Sequence, residues 1–302
     1  MFRCFFSVKF IICAAIAFGL LSSPICLNTW AANEESNGTF LRITTDNNNQ
    51  PVAFQSAILR LERGEKKSKP TIIDLVSVVH IGERSYYESL NQLFREYDAV
   101  LYELISPPGV VPEKSQGKKG VVSTIQNAIK KILKLEFQLD HIDYKQANFV
   151  HADLSPEEFM SSFGERGDSF TKMLLRILFS TQAQQNSAEE ADKQIGILAA
   201  LIATENSDKR ALALRRQVVK DFEKLDAVVS GIEGSKGSGV VAARNERAYD
   251  ILRDTLRQGK KKIAIFYGAA HMPDFAQRIT SKLGFVEKEK RWLVAWRLAD
   301  VT

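Results

Sequence analysis

Thr71-Ile-Ile-Asp-Leu-Val-Ser-Val-Val-His80-Ile-Gly82 is a nearly continuous, β-branched apolar run that stops at a histidine and a glycine. A run of this length and composition is the pattern of a strand buried on both faces, and its end marks the start of a loop. His80 therefore falls at a strand tip. In open α/β sheets ligands bind in the crevice at the carboxyl ends of the strands, so a histidine there is a stronger functional candidate than one inside the strand.

On the amino-terminal side, Phe40 to Thr44 reads as a first strand and Asp46-Asn-Asn-Asn-Gln-Pro51 as a turn. Ala53 to Glu62 and the charged turn 63–70 predict a hairpin that feeds the His80 strand. On the other side the period changes. Tyr86, Tyr87, Leu90, Leu93, Phe94 and Tyr97 recur at helical spacing, and Asp98-Ala-Val-Leu-Tyr-Glu103 returns to strand character. Strand, helix and strand in that order predict a βαβ unit with a parallel pair, placing His80 and Glu103 at one edge of the sheet.

Residues 107–120 are rich in Pro, Gly and Lys and read as an exposed loop. From about 121 to 230 the pattern is mainly helical, a helical insertion over the sheet edge. Within it Ser155-Pro-Glu-Glu158 has the form of a capping box with proline at the first helical position. Gly231 to Gly239 reads as a connector. Val240 to Gln258 has an inward stripe of Ala248, Ile251, Leu252, Thr255 and Leu256 that also carries Arg244. Lys262 to Tyr267 is a second buried-type strand, ending in Gly268-Ala-Ala-His271. A helix from Pro273 stops at Gly284, and residues 285–298 alternate like a closing antiparallel pair. The fold class expected is α/β: a mixed central sheet with a βαβ core, flanking helices, a large helical insertion and an antiparallel C-terminal edge.

The 302 residues, 45% hydrophobic and 25% charged, are enough for a substantial core. The amino terminus stands apart. Arg3 and Lys9 precede the apolar run Phe10 to Leu21, and Thr29-Trp-Ala31-Ala32 offers small residues for cleavage, the layout of a signal peptide over 1–31. The expectation is export to the periplasm or outside the cell, with an uncleaved amino-terminal membrane anchor as the alternative and no stable membrane span after cleavage. A linker over 32–38 then leads into a single domain over 39–302. All three cysteines, Cys4, Cys13 and Cys26, lie in the leader, so the mature domain has no thiol chemistry or disulfide. Leader removal also lowers the formal charge of +5 by two basic residues. The remaining lysines and arginines are scattered without interleaved aromatics, so no nucleic-acid footprint is expected.

Two of the four histidines, His80 and His271, end apolar strands. A single buried histidine is often only structural. Two of them, with Glu103 at a third strand tip, form a ligand set suited to zinc, manganese or iron with an open position for water. Gly268 lets backbone pass close to a ligand, or simply packs strand against helix. Arg244 is a candidate clamp or a fold-holding salt-bridge partner, Asn245 a candidate amide donor to substrate, and one of Tyr86 and Tyr87 a cleft-lining ring. His151 is a candidate if the insertion folds back over the edge. Asp153 reads as a local cap and His141 as exposed.

The ordered set Val79-His-Ile-Gly-Glu-Arg-Ser-Tyr-Tyr87, Asp98-Ala-Val-Leu-Tyr-Glu103, Arg244-Asn245 and Tyr267-Gly-Ala-Ala-His271 resembles the TraB/GumN family, which includes the TIKI metalloproteases. The resemblance spans about 53 to 298. It implies an α/β fold related to erythromycin esterase and haem-binding ChaN proteins, and, for TIKI-like members, a peptidase dependent on a divalent metal. The family's two Gly-x-x-His motifs, glutamate and arginine fall on His80, Glu103, Arg244, Gly268 and His271, with Ser77 in place of the first glycine. The expected assignment is thus His80, Glu103 and His271 as ligands of a divalent ion (manganese, cobalt or zinc), Glu103 and Arg244 as catalytic groups, and Asn245, Tyr87 and Gly268 at a peptide or small-molecule substrate. The alternatives are a non-catalytic haem-, metal- or peptide-binding protein and a metal-independent esterase with a histidine base.

Overall fold

The computed structural model describes residues 40–64, 69–107, 109, 110, 130, 132–164, 207–219 and 239–299. The expected signal peptide and linker, the loop over 111–120, much of the helical insertion and the connector over 231–238 lie outside the described residues.

The hairpin expected before His80 forms from β2 (Pro51–Arg63) and β3 (Thr71–Val78), with β1 (Leu41–Thr45) paired antiparallel to the first half of β2. The first helix, α1 (Arg84–Phe94), follows a two-residue strand, β4 (Ile81–Gly82). No side chain caps α1, because the Glu83 carboxylate is bonded to Arg215 and Arg297 instead. A missing cap costs about 1 kcal/mol, whereas burying each of Tyr86, Tyr87, Leu90 and Phe94 contributes about 1.5–3 kcal/mol. Packing therefore decides that this segment is helical.

The rest of the sheet comes from β5 (Ala99–Tyr102), β7 (Phe149–His151), β8 (Lys262–Gly268) and β9 (Val286–Arg297), while β6 (Glu136–Phe137) pairs with β4 apart from it. The parallel strands lie in the order β3, β8, β5, β7. Along β8, Ala264 and Phe266 enter the apolar cluster under α1, while Ile263, Ile265 and Tyr267 face the helices α4 (Gly239–Arg257) and α5 (Met272–Leu283). Both faces of the sheet are thus covered, as a continuous apolar strand requires. The capping box at α3 (Pro156–Gly164) forms as expected, Glu158 N–H donating to Ser155 Oγ (3.1 Å) and Ser155 N–H to Glu158 Oε2 (2.7 Å).

Three expectations are corrected. The β3 and β5 strands are parallel but not adjacent, because β8, fully buried from Ile263 onward, takes the place between them. The carboxyl-terminal alternation is one strand, β9, pairing with β2 through two register irregularities; these reset the alternation and make one strand read as two. The region expected to be helical from 121 contributes β6 and β7 and the four-residue helix α2 (Gln138–His141). A three-residue strand is too short to show a period, and β7 exists through its pairing with the edge of β5. Within 207–219 the expected helix is present.

Candidate functional site

The parallel register brings the carboxyl ends of four strands level. Val78 lies beside Gly268, Tyr102 beside Phe266, and His151 beside Tyr102. The residues just beyond those ends are His80, Glu103 and Asp153, and the turn after Gly268 carries His271 to the N-cap of α5. Arg244 and Asn245 reach the same place from α4, with Arg244 inward as its stripe predicts.

Glu103 is the centre of the cluster. Its Oε2 accepts the Gly268 N–H at 2.7 Å, and its Oε1 accepts Arg244 Nη2 at 2.6 Å and lies 3.9 Å from His271 Nε2. Arg244 also forks onto Asp153, Nε to Oδ1 at 2.9 Å and Nη2 to Oδ2 at 2.6 Å, and its Nη1 lies 3.3 Å from His271 Nε2. Burial works to lower the Arg244 pKa, but the charges of Asp153 and Glu103 outweigh it and hold the guanidinium well above its ordinary range. Arg244 thus bridges two buried carboxylates, Asp153 and Glu103.

Both strand-end imidazoles are held through Nδ1 by a side-chain amide. His271 Nδ1 is 2.5 Å from Asn245 Oδ1, and His80 Nδ1 is 2.8 Å from Gln138 Oε1. The Asn245 amide nitrogen donates to the His271 carbonyl (3.2 Å) and to Asp274 Oδ2 (2.7 Å), two groups that only accept, so its oxygen must face the ring. His271 is therefore protonated at Nδ1 and presents a lone pair at Nε2, consistent with the guanidinium N–H beside it. An imidazole whose Nδ1–H is tied to a second group is the usual form of a metal-ligating or basic histidine.

Gly268 makes the room. Its φ of −57° and ψ of 149° are open to any residue. A Cβ there, however, would lie 3.3 Å from Glu103 Oε2, 3.7 Å from His80 Nε2 and 4.0 Å from His271 Cδ2. The bare Cα thus fronts a small cradle bounded by the three residues expected as ligands. Among the described residues no three His, Cys, Asp or Glu side chains form a metal-ligand group as they stand, and Arg244 already faces His271 Nε2. The chemistry of the donor set, two imidazoles and a carboxylate, is of a kind that would hold a divalent cation.

The other expected residues divide. Asn245 is fully buried and orients His271, so it is not placed to donate to a substrate. Tyr87 does not line a cleft; both tyrosine rings lie in the core, where Tyr87 donates to the Val79 carbonyl (3.0 Å) and Tyr86 lies 2.8 Å from Ser56 Oγ. His151 stands on the edge strand, with Nε2 2.6 Å from the Leu104 carbonyl, which ties it to the loop after β5 and not to the cluster. His141 is half-buried, stacked on Tyr87 and 3.0 Å from Glu136. Ser77 bonds to the Phe40 carbonyl (3.3 Å) inside the sheet, so its substitution for glycine leaves the cradle unchanged.

Sequence reasoning missed two participants. Asp153 does bond to the next N–H, that of Leu154, as a cap would, but its main partner is Arg244. Recognising β7 as a strand would have marked it as another strand-tip residue. Gln138 carries no sequence signal, because an isolated glutamine matches no pattern. Comparison with protein-family models, curated proteins and solved structures finds no match for this chain.

Proposed function

We propose that this chain is an exported metal-dependent hydrolase acting on peptide bonds, with its site at the Gly268 cradle. The observation that carries the reading is the convergence of His80 Nε2, Glu103 Oε2 and His271 on the space in front of one glycine Cα, with both imidazoles anchored at Nδ1. His80, Glu103 and His271 would hold the ion. When bound, a divalent ion polarises a carbonyl and lowers the pKa of water. Arg244, itself held by Asp153, fixes the direction of the Glu103 carboxylate, and the Gly268 N–H holds its second oxygen. Four of the five guanidinium N–H groups already point at Asp153, Glu103 and His271, so Arg244 positions the site more than it binds an oxyanion. The choice of a peptide substrate, and of the family, rests on the resemblance of the quoted motifs to TraB/GumN proteins, and export on the leader at 1–31.

A second reading, a metal-independent hydrolase with His80 as base, is favoured by the contact of Arg244 with His271 Nε2 and by the exposure of His80. Metal analysis and peptidase assay of the mature protein separate the two. The first reading expects stoichiometric metal, lost together with hydrolysis in His80→Ala and His271→Ala. Hydrolysis undiminished in metal-free protein would overturn it in favour of the second.

A further inference from the structure

We infer that Gln138 is a positioning residue that selects the working tautomer of His80 and sets its ring in front of Gly268. The inference rests on the reading of His80 as a ligand or base. Gln138 grips His80 twice, donating its backbone N–H to the His80 carbonyl (2.9 Å) and placing Oε1 2.8 Å from Nδ1. The two-stranded sheet of β4 and β6 makes this register: Ile81 faces Phe137 and Gly82 faces Glu136, so Gln138 falls opposite His80. His80 is exposed, whereas Gln138 is 4% exposed, so the buried amide supplies the fixed point and the ring is what it fixes.

The structure places the amide with Nε2 toward Tyr144 and Oε1 toward His80. Gln138 Nε2 donates to the Tyr144 hydroxyl at 2.8 Å, and Tyr144 is buried and lies near Glu103. In that orientation Oε1 faces His80 and accepts from Nδ1–H. The lone pair is then on His80 Nε2, the atom that borders the cradle. An unconstrained neutral imidazole favours the opposite tautomer, with its proton on Nε2, so without Gln138 most rings would turn a proton toward the cradle. The same chemistry holds His271 through Asn245, and the two strand-end imidazoles are set by equivalent amides from different elements.

The test is long-range proton–nitrogen NMR of the neutral imidazole rings in the metal-free full chain, with His80 assigned by its loss in His80→Phe, beside calorimetric titration with Mn2+. Wild type and Gln138→Glu, whose carboxylate still accepts from Nδ1–H, are expected to show His80 protonated at Nδ1. Gln138→Leu, which fills the same space without an acceptor, is expected to revert to the Nε2–H tautomer and to bind Mn2+ about 10–100-fold more weakly. Wild-type His80 protonated at Nε2, an unchanged tautomer in Gln138→Leu, or loss of the Nδ1–H tautomer in Gln138→Glu as large as in Gln138→Leu would each overturn the inference. Wild type that binds no Mn2+, yet shows the tautomer switch, would uphold the role of Gln138 while refuting the metal-dependent reading.

Discussion

Replacing Gly268 by alanine separates the cradle as a working space from the cradle as packing. At φ −57° the backbone accepts alanine without strain, and restricting the unfolded chain contributes about 0.4–1 kcal/mol of stability. Against this, the new methyl meets Glu103 Oε2 at 3.3 Å, while that carboxylate is pinned by the Gly268 N–H at 2.7 Å and by Arg244 at 2.6 Å. The oxygen must give by a few tenths of an ångström, an overpacking cost of about 1–3 kcal/mol. The two effects leave a net loss of roughly 0–2.6 kcal/mol, a fall of at most several degrees in Tm. The functional cost is of another order, because the methyl takes the space that His80 Nε2, Glu103 Oε2 and His271 Cδ2 enclose. Altering the groups that orient metal ligands costs about 10–100-fold in affinity, and filling the ion's own space should cost at least as much. Thermal unfolding and Mn2+ titration of Gly268→Ala should therefore show a nearly intact fold with binding reduced about 100-fold or more. Wild-type binding in the variant would refute the use of this space. A collapse of the fold would show that the glycine serves packing.

Further predictions follow from the charges. Arg244→Met removes the guanidinium that bridges buried Asp153 and Glu103, which should cost about 3–5 kcal/mol in urea unfolding; a loss below about 1 kcal/mol would mean that the cluster is not closed as described. Asp98 accepts the Lys262 and Lys261 N–H groups at 2.9 and 2.8 Å, and these bonds hold its pKa below the ordinary aspartate value. A depressed carboxylate stabilises the fold above its unfolded pKa and loses that contribution as pH falls through the folded one. The stability gap between wild type and Asp98→Asn should accordingly shrink in acid, and a gap independent of pH would contradict the assignment. Arg215 bonds to Glu83 and to the Leu133 and Lys134 carbonyls, so Arg215→Met should raise amide exchange in 207–219 while leaving β3 and β8 protected. Uniform exchange across both would show that the segment is not a separately held unit.

Periodicity made most elements legible. The apolar run ending at His80, the helical stripe from Tyr86 to Phe94, the inward Arg244 and the stop at Gly284 each follow from local spacing, because a residue's face is set by the repeat of its own element. The Ser155–Glu158 capping box was legible for the same reason: its bonds join residues three apart.

Strand neighbours and polar partners were not legible, because neither is a property of any one segment. That β8 enters between β3 and β5 is decided by how the three strands pair, not by any one of them. That Asp153 answers Arg244 across 91 residues, and Gln138 answers His80 across 58, depends on where separate elements come to rest. The sequence by itself determined that His80, Glu103 and His271 each follow the end of a strand. Only the tertiary structure decided that the three ends surround one glycine and that amides from other elements aim two of the rings, since hydrogen bonds between distant side chains leave no period in the chain.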